Sequence, residues 1–171
     1  MVVLTLLHSL ARGPDVAGGV PRLQEWPLVS ITLARWSIIS MHLLQRIFGT
    51  MILAAPDGAR ARAVVDRAES TLGTDDECLL RHVMLAVPAT IACAQVGDLE
   101  HARRHLASAE RSAALWEGTS WQAALVEARA HIVAAEGDPV AANALQRDAG
   151  ALFETAGQPL DAARCRELAG V

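Results

Sequence analysis

Three helix-breaking junctions, Pro56-Asp57, Gly97-Asp98 and Gly137-Asp138, recur at spacings of 41 and 40 residues and constrain this chain more than any other feature. The match continues inside the units. Ala61-Arg62, Val65 and Ala68-Glu69 align with Ala102-Arg103, Leu106 and Ala109-Glu110, and more weakly with Ala142 and Ala149. A fixed period of this length marks a supersecondary unit that cannot hide its apolar face alone and has to pack on the next one. At each Gly-Asp junction the glycine supplies the left-handed conformation that ends one helix, and the aspartate accepts a backbone N–H to start another. Pro139 suits a first helical turn.

Between the junctions, apolar positions follow helical spacing. Leu99, Ala102, Leu106, Ala109, Ala113 and Trp116 form one stripe, and Trp121, Leu125, Ala128, Ile132 and Ala135 a second, after the break at Glu117-Gly118-Thr119. Ala141, Leu145, Ala149, Leu152 and Ala156 form a third, and Leu160, Ala163 and Leu168 follow Gly157-Gln158-Pro159. Upstream, residues 76–95 predict a helix bent at Pro88, and residues 28–55 a long apolar one. The expected fold is all-α, with antiparallel helical hairpins stacked in a short array. Residues 1–25 read as an N-terminal segment with a Gly/Pro linker. Residues 26–171 read as the repeat domain, divided near 26–73, 74–117 and 118–157 with a final helix over 158–170. With aromatics at only 4% and no Tyr, the core has to be aliphatic. Small residues such as Ala102, Ala109, Ala128, Ala142 and Ala149 then let helices approach closely.

The run Cys93-Ala-Gln-Val-Gly97-Asp98-Leu99-Glu100-His101-Ala102-Arg103-Arg104-His105-Leu106, the segment Ala134-Ala135-Glu136-Gly137-Asp138, and the run from Phe153 to Arg164 resemble tetratricopeptide-like repeats. They are similar to the repeat regions of large bacterial transcriptional regulators of the LuxR type, ATPase-linked or cyclase-linked. The resemblance covers roughly Asp57 onward. It implies a short solenoid whose concave face, lined by the first helix of each hairpin, holds a peptide, another domain of a larger regulator, or a small effector. The chain has no GxxxxGK[ST] phosphate loop and no recognisable helix-turn-helix module.

Charge and cysteine usage narrow the partners. A formal net charge of -4 leaves no basic footprint for phosphate contacts, so direct nucleic-acid binding is not expected. Arg35 and Arg46 interrupt the apolar stretch of residues 28–55, and the uncharged run of residues 82–97 is short and contains Pro88, so no membrane span is expected. The N-terminus has no basic region ahead of its apolar run, which argues against a signal peptide. Cys78, Cys93 and Cys165 are odd in number, lie in helical patterns and form no CxxC pair, as buried thiols of a cytoplasmic protein would.

No group of residues makes a catalytic signature, so a non-enzymatic scaffold is the expected class, with no cofactor. His101 and His105 stand at i and i+4, but Ala102 occupies the position where a metalloprotease helix carries its general base. Cys78 and His82 repeat that spacing. A helical-bundle metal- or small-ligand site using Cys78, His82, His101 and His105 is therefore the alternative function. Asp75, Asp76 and Glu77 read as a first-turn cluster that offsets a helix dipole. Gly18-Gly19 reads as a connector. Trp116 and Trp121, on either side of a helix break, read as wedges between helices more than as a pocket lining.

The helix over residues 28–55 is apolar nearly all round and needs neighbours on several sides. Beyond its hairpin partner it should meet residues 1–23, another repeat, a protein partner or a second copy of the chain. The polar points expected to contact a partner are Arg35, His42, Arg46, Arg81, His82 and Arg129, with Trp36 and Trp121 as apolar anchors.

Overall fold

The structure, a computed structural model, describes residues 38–72 and 79–170. Those residues form seven helices and no strand: α1 (Ile38–Leu53), α2 (Gly58–Leu72), α3 (Leu79–Gln95), α4 (Leu99–Ala113), α5 (Ser120–Ala135), α6 (Pro139–Thr155) and α7 (Pro159–Leu168). The all-α class holds. No described helix is long and apolar enough to cross a membrane.

The junctions form as their sequence demands. Gly97, Gly137 and Gly157 have φ of 76°, 92° and 71°, values open to glycine at little steric cost. The N–H groups of Asp98, Asp138 and Gln158 reach back to the carbonyls of Cys93, Val133 and Phe153 at 2.9, 3.1 and 2.8 Å, closing the last turns of α3, α5 and α6. The same residue then opens the next helix. Asp98 accepts the His101 N–H at 3.3 Å and Asp138 the Ala141 N–H at 2.9 Å, and Pro139 sits in the first turn of α6. Asp57 takes the Arg60 N–H at 2.8 Å, and Thr119 caps α5 after Gly118.

Each helix packs on the next in sequence, and α1 also packs on α3, and α3 on α5. The centre is therefore α3, which meets α1, α2, α4 and α5. From Val83 to Ala94 its side chains are buried apart from the half-buried Leu85. Thr90, fully buried, satisfies its hydroxyl on the Ala86 carbonyl at 2.8 Å. Across α3 and α4 the Val83 N–H donates to Ser112 Oγ at 3.0 Å. Alanine fills the interfaces: Ala68, Ala89, Ala102, Ala109, Ala128 and Ala149 are completely covered. Side chains this short permit helix axes to approach closely.

The apolar surplus of α1 has a definite destination. Leu44, Ile47, Phe48 and Met51 form a buried cluster with Ala68 of α2, and Ile52 joins the core shared by α2, α3, α4 and α5. The surface expected to await a partner is, in this described stretch, spent largely on neighbours within the chain. Residues 28–37 lie outside the described residues. Trp116 and Trp121 are half-buried against the core between α3, α4 and α5, and Trp121, against the expectation of a wedge more than a pocket lining, also lines a groove.

Candidate functional site

Four helices supply most of the lining of one groove, and Phe153 of α6 also reaches it. This groove of about 540 Å³ is bounded by α1 through Arg46, Gly49, Thr50 and Leu53, and floored by α3 through Met84, Val87, Pro88 and Ile91. Trp121, Ala124 and Glu127 of α5 extend the floor, and Leu160, Asp161 and Arg164 of α7 form the far wall. A second cavity of about 220 Å³ continues the groove along the helices, past Gln95, His131 and Leu168. The lining positions advance by three and four within each helix, so every helix contributes one face.

An ion-pair network closes the α5–α7 side. The Arg164 guanidinium donates to both carboxylate oxygens of Glu127, from Nε at 2.9 Å and from Nη2 at 2.7 Å. It donates from Nη1 to Asp161 at 2.6 Å. Glu127 and Asp161 are 4% and 5% exposed, whereas Arg164 keeps 38% exposure, so the carboxylates are buried and their cation faces the groove. Phe153 lies beneath the guanidinium, with its ring centroid 5.9 Å away. Burial acts to lower the pKa of Arg164, but the hydrogen bonds and charges of Glu127 and Asp161 outweigh it and raise the pKa above the ordinary value. The cation is permanent. Burial pushes the Cys165 thiol up to about 12 and that of Cys93 up to about 11, which removes both as nucleophiles at neutral pH.

The residues expected to contact a partner fall in different places. Arg46 and Trp121 line the groove. Arg129 instead pairs with Glu110 at 2.8 Å, and His82 Nδ1 lies 3.3 Å from Ser108 Oγ at the α3–α4 contact. His42, half-buried on α1, is not among the lining residues. Arg81 belongs to the first turn of α3, and its side chain lies outside the described residues, as do Arg35, Trp36 and Cys78 altogether. For the metal alternative, His101 Nδ1 lies 2.9 Å from Asp98 and His105 Nε2 lies 3.2 Å from Glu69. Each imidazole has its own carboxylate, and no three His, Cys, Asp or Glu side chains gather among the described residues.

Sequence reasoning missed Glu127, Asp161 and Arg164. A signal existed in α5, where Glu127, Arg129 and His131 are the only charged or titratable groups and residues 123–135 are otherwise apolar. A charge on such a helix has to find a partner on another element.

Two half-buried histidines make stability pH-dependent. Burial lowers the pKa of His131, with Glu127 only partly compensating, and burial likewise lowers that of His105 despite the nearby Glu69. As pH falls through the ordinary value of 6.5, the unfolded imidazoles take up protons before the folded ones do, so folding stability is lost on acidification. The denaturant midpoint should therefore drop between about pH 7.5 and pH 5.5. The drop should be smaller in His131→Gln and His105→Gln; an equal drop in both variants removes these groups as its source.

The chain matches no protein-family model, no curated protein and no solved structure.

Proposed function

We propose that this chain is a non-enzymatic helical repeat scaffold whose groove binds a protein or peptide partner. In this reading α1–α2, α3–α4 and α5–α6 are three antiparallel hairpins stacked as a short tetratricopeptide-like solenoid, and α7 is the final helix. The observation that carries the reading is the groove itself, lined chiefly by α1, α3 and α5, the first helix of each hairpin, and by α7. Its walls carry Leu53 and Leu160, large apolar side chains left 45% and 69% exposed. Three of its ionisable groups, Glu127, Arg164 and Asp161, are committed to one another, an arrangement suited to holding a shape more than to moving protons. The resemblance in the sequence supplies the setting: a bacterial transcriptional regulator in the cytoplasm, of the LuxR type, in which such a region receives another domain, a partner protein or an effector.

The test uses Leu53→Glu combined with Leu160→Glu. Both side chains are exposed, so the fold tolerates the change within about 0.5 kcal/mol per site. Baits of the parent chain and of the double variant are compared for a co-purifying protein. The parent should retain a partner that the variant loses by about tenfold or more, as expected when apolar anchors in an interface become charged. Equal retention by both baits places the binding surface elsewhere.

A further inference from the structure

We infer that α7 is a gate on the groove, latched to α5 by the Arg164–Glu127 bond and released when His131 takes up a proton. Its effect on access to the groove rests on the groove reading above, whereas the release itself is measurable without any partner. Apolar burial holds α7 only lightly. Among the described helices it is the one whose large apolar side chains are all exposed, Leu160 by 69% and Leu168 by 47%. What it buries is small or charged: Asp161, Ala162 and Cys165, with Ala169 just after its end. Ala162 and Cys165 cluster with Ala149 and Phe153 of α6 and Ala123 of α5. A segment with so little buried apolar surface is the kind that opens locally while the rest of a chain stays folded. Its start is also weakly fixed, because Gln158 makes no side-chain capping bond, whereas Asp98 and Asp138 do.

The tie across the groove is polar. Whereas α1 packs directly on α3, and α3 on α5, no comparable helix contact joins α5 to α7. Arg164 spans that gap, with Nε and Nη2 on the two carboxylate oxygens of Glu127 at 2.9 and 2.7 Å. Bidentate charged hydrogen bonds of this kind are among the strongest that side chains make. One residue therefore supplies much of what keeps α7 against α5.

His131 stands where it can act on that bond. It follows Glu127 by one turn of α5 and lines the second cavity together with Glu127 and Arg164. To this cavity α1, α2 and α3 bring apolar side chains and the uncharged Gln95, and α7 adds Leu168. The charges that act on the imidazole among the described residues are thus Glu127 from α5 and Arg164 from α7, with none from α4 or α6. With α7 in place, burial and Arg164 favour the neutral ring and outweigh the attraction of Glu127 for a proton. With α7 away, the guanidinium is gone, the ring reaches water, and an imidazolium can pair with Glu127 in place of Arg164. Opening therefore takes up a proton and grows more favourable as pH falls through the ordinary histidine value of 6.5.

Amide hydrogen exchange of the full chain at about pH 7.5 and pH 5.5, corrected for the intrinsic exchange rate at each pH, reads the release. Amides in the second half of α7 should be protected at least about tenfold less than those of α3 and α6 at both pH values. Their protection should fall by up to about tenfold on acidification, the most that one proton can contribute over the unit below 6.5. His131→Gln should abolish that fall. His105→Gln should leave it in place, because His105 lies on α4 and changes surroundings only when the whole chain unfolds. Arg164→Lys keeps the charge but gives up the fork, and should lower α7 protection at pH 7.5 by at least about threefold. If α7 is protected as well as α3 and α6, it leaves only with global unfolding and there is no gate. A fall that persists in His131→Gln overturns the proton trigger, and unchanged protection in Arg164→Lys overturns the latch. None of these outcomes decides whether the groove binds a protein, so the two readings stand or fall separately.

Discussion

Gly49→Ala should unfold at a clearly lower denaturant concentration than the parent chain, with a net loss of about 2 to 3 kcal/mol. A Cβ at this position of α1 would stand 2.0 Å from the Met84 carbonyl oxygen and 3.2 Å from the Met84 carbonyl carbon, with Pro88 Cγ at 3.4 Å. The obstacle is backbone, so no rotamer relieves it and α1 must move away from α3. Pro88 makes the site unusual. It lacks the N–H that would bond the carbonyl four residues earlier, which is that of Met84, and the Gly49 backbone lies against this oxygen. The methyl's gain in helix propensity, about 1 kcal/mol at most, offsets only part of the cost. Gly150→Ala in α6 provides the contrast. Its Cβ would meet the Ala162 carbonyl oxygen and Cys165 Cβ at 3.5 Å, ordinary contact, so that variant should match or exceed the parent by up to about 1 kcal/mol. Chemical denaturation of the two variants decides the matter: a Gly49→Ala chain as stable as Gly150→Ala refutes the close crossing of α1 and α3. Because Gly49 also lines the groove, the same substitution should weaken groove binding.

Arg164→Met should cost about 2 to 4 kcal/mol, less than for a fully buried pair because the guanidinium is 38% exposed. The loss is dominated by what remains behind. Glu127 would stay buried on α5 without this guanidinium, and Asp161, in the first turn of α7, would lose its bond to it. Adding Glu127→Leu to Arg164→Met removes the stranded charge and should recover more than half of the loss. Denaturant midpoints of the parent, both single variants and the double variant complete the cycle. If the double variant loses as much as the two single variants together, Glu127 and Arg164 act independently and the network does not join α5 to α7. The network's second consequence is positional: it fixes α7 as one wall of the groove.

Local chemistry made the helix boundaries legible. Gly97-Asp98 and Gly137-Asp138 predicted a stop and a start within two residues, and those turns form with the expected positive φ and aspartate caps. The stripe from Leu99 through Ala113 became α4, although Trp116, counted in the same stripe, lies beyond its end. The groove was less legible. Arg46 and Trp121 were expected at a binding face and line it, while His82 and Arg129, chosen on the same grounds of polarity on a helix, are engaged with Ser108 and Glu110. Helix periodicity tells which residues share a face, but not which neighbour that face meets.

The sequence by itself determined the all-α class, the junctions and the reliance on alanine for close packing, because capping, left-handed glycine and 3.6-residue periodicity act within a few residues of each other. Only the tertiary structure decided that α3 is the buried centre, that Gly49 meets the Met84 carbonyl, and that Glu127 and Arg164, 37 positions apart, close one side of a groove. Those contacts depend on how whole helices are placed against one another, and that placement is set by the sum of many small apolar interfaces that no short stretch of residues encodes alone.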